Sequence, residues 1–406
     1  MPDSALNPGR QSADISQASE LREAIRSHMP QLDALRGIAI LWVILHNAAL
    51  DGTGPPQSIA MNLIDLLSNI GWVGVQLFFV LSGFLITGIL LDGRGATNQF
   101  RTFYARRTLR IFPLYYGFLL LAFVILPWLG IVTWHTVGSR ELTLYWTYLI
   151  NWGQPFIHQP VFPHLWSLAI EEQYYLLWPL LVIFLRKRTL AYVCAALIVT
   201  AFLSRAYIMF NYDRAFSEHA MYTFTITRWD ALAVGSLLAL LVRSDSALVY
   251  LQRYFTRGFV MLTMLLVAQI GAMRSFAPSG YQGILNQISI AVWFAMLVLL
   301  SIAPWHNQLD NLRPTFSNRF LRWVGKYSYA IYIFHFPAKL IWFSHFAIPV
   351  MPNAAWQQLG VTLYNFIGIT ALATAASYIS WHVLEQPFLR LKRRFVLARS
   401  TDAAAA

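Results

Sequence analysis

GWVGVQLFFVLSGFLITGILL, residues 71–91, runs 21 positions without a charged side chain. A helix needs roughly 20 mostly apolar residues to cross a hydrocarbon core of about 30 Å, so this stretch alone is long enough to span a bilayer. Comparable runs recur near residues 33–50, 110–129, 164–185, 189–210, 226–242, 258–273, 284–303, 323–345 and 360–384. Hydrophobic residues make up 57% of the 406-residue chain and charged residues only 12%, against about 25% charged in soluble domains. A water-soluble fold is excluded. The expected class is all-α, a polytopic integral membrane protein with about ten transmembrane helices. The spans are expected to fill residues 32–387, between a polar tail at 1–31 that lacks the apolar core of a secretory peptide and a basic tail at 388–406. That layout leaves no room for an added soluble domain.

The net charge of +12 invites a nucleic-acid reading, but the placement of the basic residues argues for a membrane topology instead. With the N-terminus inside, 24 of the 30 Lys and Arg residues fall on or beside cytoplasmic segments, in clusters at 94–110, 186–188, 243–257, 313–326 and 390–399. Both termini are then expected in the cytoplasm. The same rule settles residues 142–157, which are apolar enough for another span. Counting them would put Arg186, Lys187 and Arg188 outside, so they are expected to be interfacial or re-entrant, as Trp146, Tyr148 and Trp152 also suggest. The single cysteine, Cys194, lies in an apolar run, which leaves no disulfide framework or cysteine metal site, and no metal is expected. No internal repeat of the inverted-transporter kind is evident.

Ionisable residues inside a membrane cost at least about 2.5 to 3.5 kcal/mol each, so they usually face a cavity or a partner. In the first span, Asp33 sits where it can cap the helix. Arg36 follows at the cytoplasmic end, and His46 lies about 15 Å deeper, where a neutral imidazole can accept a proton. Close helix packing explains the glycines of residues 71–88, and Ser82 has no evident base. Arg106, Arg107 and Arg110 open the third span. Arg107 and Arg110 share a face and, with Arg36, can form an anion site suited to a pyrophosphate. In the fourth span His164, Ser167, Glu171 and Trp178 form one helical stripe, while Glu172 points about 100° away. Arg228 and Asp230 do not face each other, which leaves a structural ion pair with another span or a catalytic role as the two readings. Ser328, Tyr332, His335 and Lys339 form a further polar stripe. Glu385-Gln386-Pro387 reads as a structural terminator.

Taken in order, residues 32–37, 71–87, 106–113, 164–179, 228–235, 325–337 and 385–387 resemble the acyltransferase family 3 membrane O-acyltransferases across essentially the whole membrane region. The resemblance implies transfer of an acyl group, often acetyl, from a cytoplasmic acyl-CoA to a hydroxyl of a carbohydrate-type acceptor in a bacterial envelope. It implies residence in the bacterial inner membrane and no permanently bound cofactor. Arg36 and the first-span histidine are implied to form one functional motif, and Arg107 with Arg110 the other. The family commonly places ten residues between that arginine and histidine; here nine separate Arg36 from His46, and strict alignment puts Asn47 at the usual position.

The expected roles follow. Arg36, Arg106, Arg107 and Arg110 hold the CoA phosphates, and His46 acts as base with Arg36, Glu171 and Glu172 in the catalytic set. His164, Trp166, Ser167, Tyr332 and His335 bind the acceptor. His164, Glu171 and Glu172 are expected to act from the outer side. The rival readings are a transporter or flippase of an envelope precursor and a non-catalytic partner in a polysaccharide assembly complex. Neither acceptor identity, acyl chain length nor oligomeric state can be read from the residues.

Overall fold

A computed structural model describes residues 29–49, 66–131, 137–157, 159–276, 282–303, 309–348 and 355–398. Most of the expected N-terminal tail, 1–28, and the end of the basic tail, 399–406, lie outside the described residues, as does the side chain of Arg274. All described secondary structure is helical. The main elements are α1 (Pro30–Ala48), α2 (Val73–Asp92), α3 (Gln99–Leu120), α4 (Ser139–Trp146), α5 (Trp166–Phe184), α6 (Lys187–Asn211) and α7 (Arg214–Thr223). They are followed by α8 (Thr225–Leu241), α9 (Asp245–Phe276), α10 (Gln282–Ile302), α11 (Arg319–Lys326), α12 (Ser328–Phe346) and α13 (Ala355–Ser380).

The apolar runs fall on these helices, but the run at 323–345 is divided between α11 and α12 at Tyr327, and the run at 110–129 continues past α3 through a π-helical turn, Leu121–Ile125. By length and composition, five helical stretches among the described residues are sufficient to cross a membrane: Val73–Asp92, Gln99–Trp128, Lys187–Asn211, Arg214–Leu241 and Leu359–Arg394. α1, α5 and α12 fall outside that group, and their apolar runs are interrupted by Asp33 and Arg36, by Glu171 and Glu172, and by His335 and Lys339. The protein is an integral membrane protein, and these three polar helices share the lining of its interior cavities with α2 and α3.

Residues 142–157 do not form a span. α4 ends at Trp146 with Thr147 as its C-cap, and Tyr148 takes a left-handed φ of 55°, a conformation non-glycine residues rarely adopt. Stacking of its ring 4.0 Å from that of Tyr115 holds it there. A four-residue helix, Ile150–Gly153, and a 3-10 turn, Gln154–Phe156, follow. Eight residues of helix reach only about 12 Å, so the interfacial or re-entrant expectation agrees with the geometry.

The helices approach most closely where glycine replaces a side chain. A Cβ on Gly83 would lie 2.0 Å from the Leu232 carbonyl oxygen, and one on Gly235 would lie 2.0 Å from that of Val80. α2 and α8 therefore cross backbone to backbone, the small-residue packing that replaces hydrophobic driving force in a lipid solvent. Beside this crossing, Trp178 Nε1 donates to Thr87 Oγ1 at 2.8 Å, and Thr87 donates to Ser236 Oγ at 2.8 Å. The Tyr174 hydroxyl lies 2.7 Å from Ser236 Oγ. The knot ties α2, α5 and α8 together with its polar atoms satisfied.

Buried charge is handled in the same region. Asp230 pairs with Arg205 of α6 at 2.7 Å, both side chains fully buried. Arg228 donates to Gln76 Oε1 at 2.8 Å and to Gln287 Oε1. Both bind neighbouring helices rather than each other, as their spacing requires. Gly235→Val is expected to cut the yield of monodisperse protein at least tenfold, because overpacking costs about 1 to 3 kcal/mol even where backbone can shift. Gly138→Ala, where an added Cβ meets nothing within 4 Å, should leave the yield unchanged. Fluorescence-detected size-exclusion chromatography reads both.

Candidate active site

Two cavities lie end to end along α5 and α12. The first, about 700 Å3, is lined by Arg36, Arg107, Arg110, Glu171, Glu172 and Tyr329, among others. α1 carries Asp33 and Arg36 one turn apart, and Arg36 NH1 donates to Asp33 Oδ1 at 2.8 Å. Asp33 thus orients the arginine; the helix has no side-chain cap, and Pro30 opens it instead. Arg107 and Arg110 project from one face of α3, and the Arg107 guanidinium sits 4.6 Å over the Tyr175 ring. Neither of these two arginines pairs with a carboxylate among the described residues, so their donors remain available to a ligand.

Arg106, on the next face, is exposed and does not line this cavity. That is the rotation of about 100° per residue that a helix imposes. Lys326 and Lys392 add positive charge to the wall. Arg243 also lines it, but is committed to Asp92 through contacts of 2.9 and 2.6 Å.

Glu171 accepts the Ser82 hydroxyl at 2.7 Å. Ser82 therefore does have a carboxylate beside it, supplied by α5, which local sequence could not reveal. Glu385 lines the same cavity, buried, with Oε1 lacking any partner among the described residues. Its sequence context, Glu385-Gln386-Pro387, shows only a helix terminator. The cause is the π-helical turn Trp381–Glu385, whose wider winding turns the carboxylate inward and which has no composition signature.

The second cavity, about 390 Å3, is lined by His46, Asn47, His164, Trp166, Tyr332 and His335, with Gln154, Glu218 and Tyr222. His46 Nδ1 lies 2.7 Å from the Ser68 carbonyl. A carbonyl only accepts, so Nδ1 carries the proton and Nε2 is the basic nitrogen. Gly71 permits this approach, since a Cβ there would come within 2.7 Å of His46 Cβ. Asn47 faces the same cavity and accepts from Lys339 Nζ at 3.4 Å.

The site residues expected from sequence are therefore split. Arg36, Arg107, Arg110, Glu171, Glu172 and Ser167 belong to the first cavity; His46, His164, Trp166 and His335 belong to the second. Glu171 and Glu172 do not join His164, because seven residues of helix displace them by about 10 Å along α5. Val75 and Tyr332 line both cavities. The Tyr332 hydroxyl is held by Ser167 Oγ at 2.6 Å and by the His164 carbonyl at 2.9 Å. One tyrosine and one valine thus form a shared wall between a basic chamber and a histidine-rich one.

The sequence profile of the acyltransferase domain matches residues 29–382. A putative peptidoglycan O-acetyltransferase, YrhL of Bacillus subtilis, is 28% identical over 382 residues, covering 89% of this chain and 55% of the relative. The O-acetyltransferase OatA of Staphylococcus aureus is 27% identical over 379 residues, covering 89% and 57%. The peptidoglycan O-acetyltransferase OatA of Listeria monocytogenes is 27% identical over 335 residues, covering 77% and 49%. The chain spans about half the length of these relatives, and no solved structure matches it. With the profile matched over most of its length, the chain belongs to acyltransferase family 3.

Proposed function

We propose that the protein is a membrane O-acyltransferase that moves an acetyl group from acetyl-CoA to a hydroxyl of a carbohydrate acceptor of the cell envelope. The observation that carries this reading is the pairing of two chemically different chambers across the shared wall of Val75 and Tyr332. The basic chamber suits the phosphates of CoA, with Arg107 and Arg110 as unpaired donors and Arg36 held by Asp33. The histidine chamber suits the acceptor. The names of the relatives favour peptidoglycan or a similar polysaccharide as that acceptor.

In the proposed reaction the donor thioester extends from the basic chamber towards Tyr332. His46 Nε2 takes the proton of the acceptor hydroxyl as its oxygen attacks the thioester carbonyl. The carbon–sulfur bond breaks, and the proton passes to the departing thiolate to give free CoA and an acetyl ester. Glu171, tied to Ser82, and Glu172 shape the donor side. His164, Trp166, Tyr332 and His335 position the acceptor, and Ser167 holds the Tyr332 hydroxyl at the wall. The proposed topology has ten spans with both termini in the cytoplasm, so that the basic chamber opens to the cytoplasm and the histidine chamber to the other face of a bacterial inner membrane.

Proteoliposomes supplied with acetyl-CoA and a hydroxyl acceptor should release free CoA, which movement of a precursor by a flippase would not produce. His46→Ala should lower kcat for acetyl transfer by about 100-fold or more. Full activity in that variant removes the assigned base. Arg107→Gln should raise the KM for acetyl-CoA about tenfold, equivalent to ~1.4 kcal/mol. The exposed Arg101→Gln should change it less than twofold.

A further inference from the structure

α11 presents two neighbouring stripes of side chains. Arg319, Arg322 and Lys326 follow one another at spacings of three and four, and Phe320 and Trp323, three apart, run beside them. All of them are exposed, Phe320 to 60% and Trp323 to 42%. The opposite side of the helix is turned against α1: a Cβ on Gly325 would strike the Asp33 carbonyl oxygen, and one on Gly37 the Leu321 carbonyl oxygen. Two glycines on facing helices thus pin α11 backbone to backbone across the first turns of α1, and the outward stripes are held in place.

Beside α11 lies an open hollow of about 530 Å3, lined by Asp33, Arg319, Arg322, Trp323 and Lys326. Three cations and one carboxylate face it, and that carboxylate already holds Arg36 at 2.8 Å. Arg319, Arg322 and Lys326 form no salt bridge among the described residues. Lys326 is fixed between the Tyr327 and Trp381 rings, 5.1 and 5.0 Å from their centroids. Asp33 and Lys326 also line the basic chamber, whereas Arg319, Arg322 and Trp323 do not. The hollow is therefore a neighbour of that chamber and not part of it.

Guanidinium groups side by side with no carboxylate of their own select an anion of phosphate geometry. The rings decide which one. A soluble anion such as inorganic phosphate or a nucleotide would leave Phe320 in water, whereas a phospholipid sets its phosphate beside the arginines and its glycerol and upper acyl chains against Phe320 and Trp323. Basic groups flanked by Trp and Phe are the composition of helices that lie at headgroup level. The crossing with α1 supplies the depth: Asp33 and Gly37 lie within about 11 Å of the start of that helix at Pro30, near its end and not at its middle.

We infer that the hollow beside α11 binds the headgroup of an anionic phospholipid, with Arg319, Arg322 and Lys326 around its phosphate and Phe320 and Trp323 against its glycerol and acyl portion. The inference stands apart from the acyl-transfer reading. Through Asp33 and Lys326 it places a bound lipid against the wall of the basic chamber.

The test uses the full-length protein, delipidated in a neutral detergent and titrated with dioleoylphosphatidylglycerol or dioleoylphosphatidylcholine under native mass spectrometry. Each cation near a membrane surface strengthens attraction for an anionic lipid about fivefold. Wild-type protein should therefore bind its first phosphatidylglycerol at least tenfold more tightly than phosphatidylcholine, and Arg319→Gln/Arg322→Gln should reduce that preference to less than threefold. Arg101→Gln/Arg188→Gln, which removes two exposed cations of α3 and α6, should leave the preference within twofold of wild type. Equal binding of the two lipids by wild-type protein, a preference retained in Arg319→Gln/Arg322→Gln, or equal loss in both double variants would overturn the site. Displacement of phosphatidylglycerol from wild-type protein by millimolar inorganic phosphate or acetyl-CoA would overturn the lipid assignment, because the hollow would then take a soluble anion.

Discussion

The Tyr332 hydroxyl, 2.6 Å from Ser167 Oγ and 2.9 Å from the His164 carbonyl, clamps α12 to the start of α5 at the level where the two cavities meet. Everything else about the interior follows from that clamp. Towards one end of the two helices the chamber is basic, with guanidinium groups from α1 and α3; towards the other it is lined by imidazoles and aromatic rings. The wall between the two chambers is thin, one ring and one valine side chain.

Holding such chambers open inside an apolar protein requires rigid support, and buried polar contacts between the surrounding helices supply it. The buried Arg205–Asp230 pair fastens α6 to α8, and removing one partner of such a pair typically costs about 3 to 5 kcal/mol. Among the described residues Arg228 forms no salt bridge with a carboxylate; two glutamine side chains and the faces of Phe79, Trp166 and Tyr222 surround it. Its charge lies directly behind the aromatic side of the histidine chamber. Close glycine crossings bring α2 against α8, beside the polar knot that joins both to α5.

The helices were legible because apolar runs of about 20 residues have few alternatives in a chain so poor in charge. The basic pair Arg107 and Arg110 was legible because a spacing of three fixes a common face, and the same rule excludes Arg106. The partition of the site was not legible. Nothing in the residues between His164 and Glu171 states that Tyr332, 161 positions beyond Glu171, will stand between them. Glu385 was hidden by a π turn, the Ser82 carboxylate partner by its origin on another helix, and Gln154 by a segment whose apolar character gives no hint of an inward amide. Lys326 and Lys392 were seen only as positive-inside charge, because composition does not distinguish a cation facing water from one facing a cavity.

The central claim is that the two chambers open to opposite sides of one membrane and meet at Tyr332. Site-directed labelling measures this directly, since the single native cysteine, Cys194, is buried. In sealed right-side-out and inverted vesicles, Lys326→Cys at the basic chamber and Glu218→Cys at the histidine chamber would be challenged with a membrane-impermeant maleimide. The account predicts that Lys326→Cys reacts only in inverted vesicles and Glu218→Cys only in right-side-out ones. Reaction of both positions from the same face would contradict it.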